Sequence, residues 1–245
     1  MKEIFKSELY KLKNSYYYFI FNILIFITIV CYCIYLKFYI HADITELLTN
    51  YIPSKFNLII SVFMVFNFIY EEEYRYSTLK NLVILRGSKI EIFLGKFITQ
   101  ILAAMLSYTM MITIVLICLI FFDKGSNTSS LQVKSVITNF FSLIPIILRA
   151  LAFLDIITML FKNDYIVFLV YLVCTNFINI LLSAITVFFK PIEFIKHYTI
   201  NNAVNILSYG NISISESLTM NIINVIIFII YIIIGTFIYK KLESN

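Results

Sequence analysis

Residues 97–122 read FITQILAAMLSYTMMITIVLICLIFF, a stretch without a single Asp, Glu, Lys or Arg. A helix crossing the roughly 30 Å hydrocarbon core of a bilayer needs about 20 mostly apolar residues. This segment meets that length, and the spacing predicts one membrane-spanning helix. Working outward, comparable stretches lie at 15–40, 54–70, 138–160, 165–189 and 220–239, which makes six. The bulk numbers agree. The 245 residues are 61% apolar and 13% charged, with a mean hydropathy of +0.91, whereas a soluble domain is about 45–50% apolar and about 25% charged. A folded monomer of this size has too little interior to hide that excess. Soluble globular, disordered, collagen-like and nucleic-acid-binding classes are therefore excluded. The expected fold is an all-α polytopic membrane protein, a single transmembrane domain over 1–245.

Charge placement orients it. Lys2, Lys6, Lys11 and Lys13 precede the first span; Arg75, Lys80, Arg86, Lys89 and Lys96 lie between the second and third. Lys162 sits between the fourth and fifth, and Lys240 and Lys241 follow the sixth. The opposite loops carry fewer, so the positive-inside rule predicts that both termini are cytoplasmic. The net charge of +5 thus reports topology rather than a nucleic-acid surface. Residues 1–14 read as a basic amphipathic helix in the inner interface, with Ile4, Phe5, Leu9 and Leu12 on one face.

The most densely charged segment is EEEYRYSTLKNLVILRGSKIEIFLGK, residues 71–96. Leu79, Leu82, Val83 and Leu85 form a short apolar face ringed by Arg75, Lys80 and Arg86. Gly87 suits a helix stop, and Ser88 with Glu91 has capping-box spacing for a new helix. The expected element is a short cytoplasmic helix over 71–87. On the outer side, residues 190–219 form the longest connection, where Pro191 blocks continuation of the fifth span. Its apolar and polar mixture predicts an amphipathic or re-entrant piece, and Ser213 with Glu216 repeats the capping-box spacing.

Charged groups inside spans are the usual marks of function in a membrane protein. Arg149 and Asp155 both fall in the fourth span, and a six-residue offset rotates about 240° on a helix, so they face different partners. Pro145 is expected to kink that span. Asn176 and Asn179, three apart in the fifth span, share a face and suit helix-to-helix hydrogen bonding. Arg149, Asp155, Asn176 and Asn179 are therefore the candidates for a transport path or subunit interface. Cys31, Cys33, Cys118 and Cys174 lie in spans as small apolar residues and carry no metal-ligand spacing. No phosphate-binding loop or zinc-protease motif is present. Two fragments, Glu71-Glu72-Glu73-Tyr74-Arg75 and His197-Tyr198-Thr199-Ile200-Asn201, resemble pieces of the intramembrane CAAX-protease family. The first is one residue short of its EExxxR pattern, and the charge-derived topology puts the two on opposite sides of the bilayer.

The layout as a whole resembles the type-2 ABC exporter permeases, in particular the small bacterial branch serving antimicrobial-peptide transport, immunity or resistance. The opening MKEIFKSELYKLKNS is similar to that family's start. Glu73-Tyr74-Arg75-Tyr76-Ser77-Thr78-Leu79-Lys80 resembles its E-x-x-x-G-T-L-K segment, with Ser77 in the glycine position, and Arg86 to Gly95-Lys96 resembles the R…GK that follows. The resemblance implies six spans with a cytoplasmic coupling helix between the second and third, in a bacterial cell membrane. It implies a partner ATPase subunit that binds ATP and magnesium, with no cofactor on this chain and no catalysis by it alone. Glu73, Arg75, Thr78, Leu79, Lys80, Leu82, Val83 and Arg86 would contact that subunit. A second permease copy or paralogue would complete the path for an amphipathic peptide. A membrane scaffold or sensor without a transport cycle is the alternative expectation.

Overall fold

The computed structural model describes residues 2–35, 38, 88–122, 130–161, 163–209 and 213–242. The span expected over 54–70 and the coupling helix expected over 71–87, with all eight residues assigned to its ATPase contact, lie outside the described residues. Every regular element among the described residues is helical. In chain order these are α1 (Lys2–Asn14), α2 (Tyr16–Tyr35), α3 (Lys89–Phe122), α4 (Ser130–Phe161), α5 (Asp164–Leu172), a π-helical turn (Val173–Phe177), α6 (Ile178–Thr186), α7 (Ile192–His197), α8 (Ile200–Tyr209) and α9 (Ile214–Leu242). Among the described residues, five runs are long and apolar enough to cross a membrane: Tyr18–Tyr35, Ile90–Phe121, Val136–Phe161, Tyr165–Thr186 and Ser215–Lys241.

Several helices outrun the apolar stretches that announced them. Helix α4 starts at Ser130 and α9 at Ile214, well before the expected 138 and 220. Backbone hydrogen bonding continues wherever a polar helical turn is tolerated in water, so hydropathy marks the span rather than the helix. The start of α9 is set by a complete capping box: the Ser213 backbone N–H donates to Glu216 Oε2 at 3.1 Å, and the Glu216 N–H donates to Ser213 Oγ at 3.3 Å. Helix α4 runs through Pro145 without a break. The proline ring removes the helical donor to the Phe141 carbonyl. One residue away, the Phe140 carbonyl accepts from the Tyr108 hydroxyl at 2.9 Å, tying α3 to α4 at this weak point.

Helix directions follow from the contacts. Tyr18 donates to the Ala103 carbonyl at 3.2 Å, and the Cys33 thiol faces Cys118, so α2 and α3 run parallel. Helices α3 and α4 are antiparallel. Helices α4 and α9 share the most extensive packing and run parallel, with Arg149 against Asn224, Phe153 against Tyr231 and Met159 beside Tyr239.

One end of the bundle gathers α1 with the start of α3 and the ends of α4 and α9, in a cluster of Ile4, Ile92, Phe93, Met159 and Tyr239. The N-terminal helix buries a line of Ile4, Glu8 and Leu12, with Phe5 and Leu9 only partly covered. This differs from the expected all-apolar face because α1 packs along α3, whose surface meets the i, i+4, i+8 line. Glu8 is tolerated there through its ion pair to Lys11 at 3.1 Å. The close approach depends on Gly95, since a Cβ at that position would lie 3.0 Å from Ile4 Cγ2.

Candidate functional site

The Tyr165–Thr186 span carries an irregularity. Between α5 and α6 the backbone widens into a π-helical turn over Val173–Phe177. Such turns are rare and displace hydrogen bonds from their regular pattern, and they recur at functional sites. Here the Thr175 carbonyl accepts an outside donor, Asn201 Nδ2, at 3.1 Å, and the same nitrogen reaches Asn176 Oδ1 at 2.8 Å. One helical turn further, Asn179 Oδ1 accepts from Thr199 Oγ1 at 3.3 Å. Both expected asparagines therefore bond to residues 199–201, in the connection that follows α6.

That connection enters the bundle. Helix α7 ends at His197, the chain breaks direction at Tyr198 and Thr199, and α8 leads away again. Ile200, Ala203, Val204 and Leu207 of α8 are buried in the main core against α4. The break lies level with Thr175, near the middle of the Tyr165–Thr186 span, and with Arg149, near the middle of the Val136–Phe161 span. Of the two forms expected for this connection, the re-entrant one is present. Non-helical backbone at that depth must find partners within the protein. Asn202 Nδ2 donates to the Lys196 carbonyl at 3.2 Å, and Arg149 serves the Tyr198 carbonyl.

Arg149 is the hinge of the arrangement. It is 7% exposed, and its Nη1 donates to the Tyr198 carbonyl at 2.6 Å and to Asn224 Oδ1 at 2.8 Å. Asn224 is itself held by donation of its Nδ2 to the Met220 carbonyl at 2.9 Å. The Tyr231 phenol also faces the guanidinium. Arg149 Nε, though buried, has no hydrogen-bond partner, and among the described residues no carboxylate pairs with this cation.

Asp155 occupies a separate site, as the six-residue offset predicts. It lies toward the end of α4 that carries the α1 cluster and is 1% exposed. Gln100 and Lys96, both buried on α3, face its carboxylate. Neither carboxylate oxygen, and neither polar atom of the Gln100 side chain, makes a hydrogen bond of regular geometry. The four candidate residues thus divide: Arg149, Asn176 and Asn179 converge on the re-entrant segment, and Asp155 does not.

Sequence reasoning missed Asn224, Thr175, Thr199 and the Tyr198 carbonyl. Asn221 and Asn224 interrupting the sixth apolar stretch were the available signal for the first. The other three depend on the π-turn, which leaves no compositional mark, and on how deep the re-entrant connection goes, which its composition does not state. Gln100 was visible only as a polar residue without an assigned partner. No protein-family model matches the chain, and no curated protein is significantly similar to it.

Proposed function

We propose that this chain is the membrane-spanning permease subunit of an ATP-binding cassette transporter, moving amphipathic peptides outward with ATP hydrolysed by a separate subunit. The observation that carries the reading is the charged segment 71–96 and the end of the bundle at which it finishes. Its last residues begin α3, where Ile92, Phe93 and Gly95 pack against α1 and lie beside the ends of α4 and α9. The helices that meet there carry Lys2, Lys6, Lys11, Lys13, Lys89, Lys96, Lys240 and Lys241. By the positive-inside rule that end faces the cytoplasm, where a soluble ATPase would dock. The parallel run of α2 and α3 supports a returning span between them, over 54–70.

In this reading Leu79, Leu82 and Val83 anchor the coupling helix in a groove of the ATPase, with Glu73, Arg75, Thr78, Lys80 and Arg86 around them. The ATPase subunit holds ATP and magnesium. A second permease copy or paralogue completes the assembly, and closure of two ATPases biases a bistable bundle. Arg149, Asn176 and Asn179 line or support the path. The test is co-purification with an ATPase encoded beside this chain. The Leu79→Asp/Leu82→Asp double variant should still insert in the membrane but lose the ATPase; an intact complex in that variant would refute the coupling assignment.

A further inference from the structure

We infer that the free edge of Arg149 is a binding site for a carboxylate carried on an apolar or amphipathic molecule, reached from within the membrane. A guanidinium has five N–H donors. The protein uses Nη1 alone to hold the Tyr198 carbonyl and Asn224 Oδ1. Those two bonds explain how Arg149 supports the re-entrant segment, yet both acceptors are neutral. The positive charge is not compensated by any carboxylate among the described residues, and Nε has no acceptor at all. An isolated cation near the centre of a bilayer is costly, and intramembrane charges of this kind are normally paired or functional.

Nε, which has no acceptor, forms with Nη2 the edge on which a planar carboxylate makes two parallel hydrogen bonds. Depth selects the ligand further. Arg149 lies near the middle of the Val136–Phe161 span, about 15 Å from either edge of a 30 Å hydrocarbon core. A lipid phosphate resides at those edges, whereas a carboxylate at the end of an acyl chain or an apolar peptide can be carried inward by its own body. Tyr231 on α9 faces the guanidinium as a neighbouring polar group.

That such a ligand is transported rests on the permease reading; that it binds does not. The experiment therefore uses this chain alone, without an ATPase, in nanodiscs of neutral phosphatidylcholine. Radiolabelled oleate is the probe, and methyl oleate, phosphatidylglycerol, and an amphipathic peptide as free acid or C-terminal amide are the competitors. Oleate should bind saturably, with methyl oleate and the amide at least about tenfold weaker than their acids, as the loss of a charge-assisted pair requires. Arg149→Gln should lose at least about tenfold in oleate affinity, and Arg149→Lys should fall between, keeping the charge but not the fork. Equal competition by acid and ester, full displacement by phosphatidylglycerol, or unaltered binding in a folded Arg149→Gln protein would each overturn the site. Where Arg149→Gln does not fold, the acid-against-ester comparison on the unaltered protein decides alone. Failure of the unaltered chain to co-purify with any ATPase, with oleate binding retained, would refute the permease reading and leave this site standing.

Discussion

Arg149 Nη1 and the Tyr198 carbonyl oxygen lie 2.6 Å apart, joining the middle of one membrane span to the tip of a segment that enters from the far side of another. The bond satisfies a carbonyl left over where α7 stops, which water would satisfy at a protein surface. Inside the bundle only a side chain can do so. The charge of the donor strengthens it.

The re-entrant segment should loosen when this bond is removed. Arg149→Met deletes two hydrogen bonds from a charged donor, each contributing about 1.5–3 kcal/mol. Amide hydrogen exchange over residues 198–209 should accelerate by roughly tenfold or more, since about 1.4 kcal/mol is a factor of ten in an opening equilibrium. Unchanged protection there would show that α8 is held by its apolar face alone.

Asn201 is expected to matter through its side-chain nitrogen. Asn201→Leu removes the donor to the Thr175 carbonyl and to Asn176 Oδ1. Leaving those acceptors unserved should cost about 1–3 kcal/mol. Asn205→Leu is the control, being exposed on the same helix. Thermal unfolding in detergent should separate the two, and equal melting temperatures would contradict the role given to Asn201.

At the other buried charge, substitution of one partner and of both should give opposite results. Asp155→Leu removes the carboxyl group that faces Lys96 and Gln100 and should lower stability by about 1–3 kcal/mol, the usual cost of altering one member of a buried polar cluster. The Asp155→Leu/Lys96→Met double variant should recover much of that loss. A double-mutant cycle measured by unfolding in mixed micelles tests the coupling. Strict additivity would mean that the two groups do not interact.

Gly95 sets how near α1 comes to the rest of the molecule. Its missing Cβ accommodates Ile4, and Gly95→Leu should push α1 off α3 at a cost of about 1–3 kcal/mol. Trypsin cleavage after Lys6, Lys11 or Lys13 in open membranes should then speed up. Protection equal to the unaltered chain would indicate that α1 is retained by other contacts. Ile4→Ala in the Gly95→Leu background should restore part of the packing.

What could be read in advance was of two kinds. Stretches such as 97–122 announced their spans because transferring an apolar helix into a bilayer depends on composition and length, both local properties. Ser213 and Glu216 announced the start of α9, because a capping box closes within four residues. The N-terminal helix was legible in extent but not in its buried face: Glu8 is covered because α3 lies along it, a fact outside the 13-residue segment.

By itself, the sequence determined that the chain is helical and membrane-embedded, and that Arg149 and Asp155 point to different surroundings. Those conclusions follow from hydropathy and from the 100° step of a helix. Tertiary structure alone decided that Arg149 meets Tyr198 and Asn224 while Asp155 meets Gln100 and Lys96. It also decided that the connection at 190–209 re-enters the bundle, and that Asn201 serves a carbonyl in the π-turn over Val173–Phe177. The physical reason is the same in each case. A buried polar group is satisfied by whatever atom lies within about 3 Å, and partners 49 and 75 residues away for Arg149, or 26 for Asn201, are set by helix packing rather than by sequence spacing.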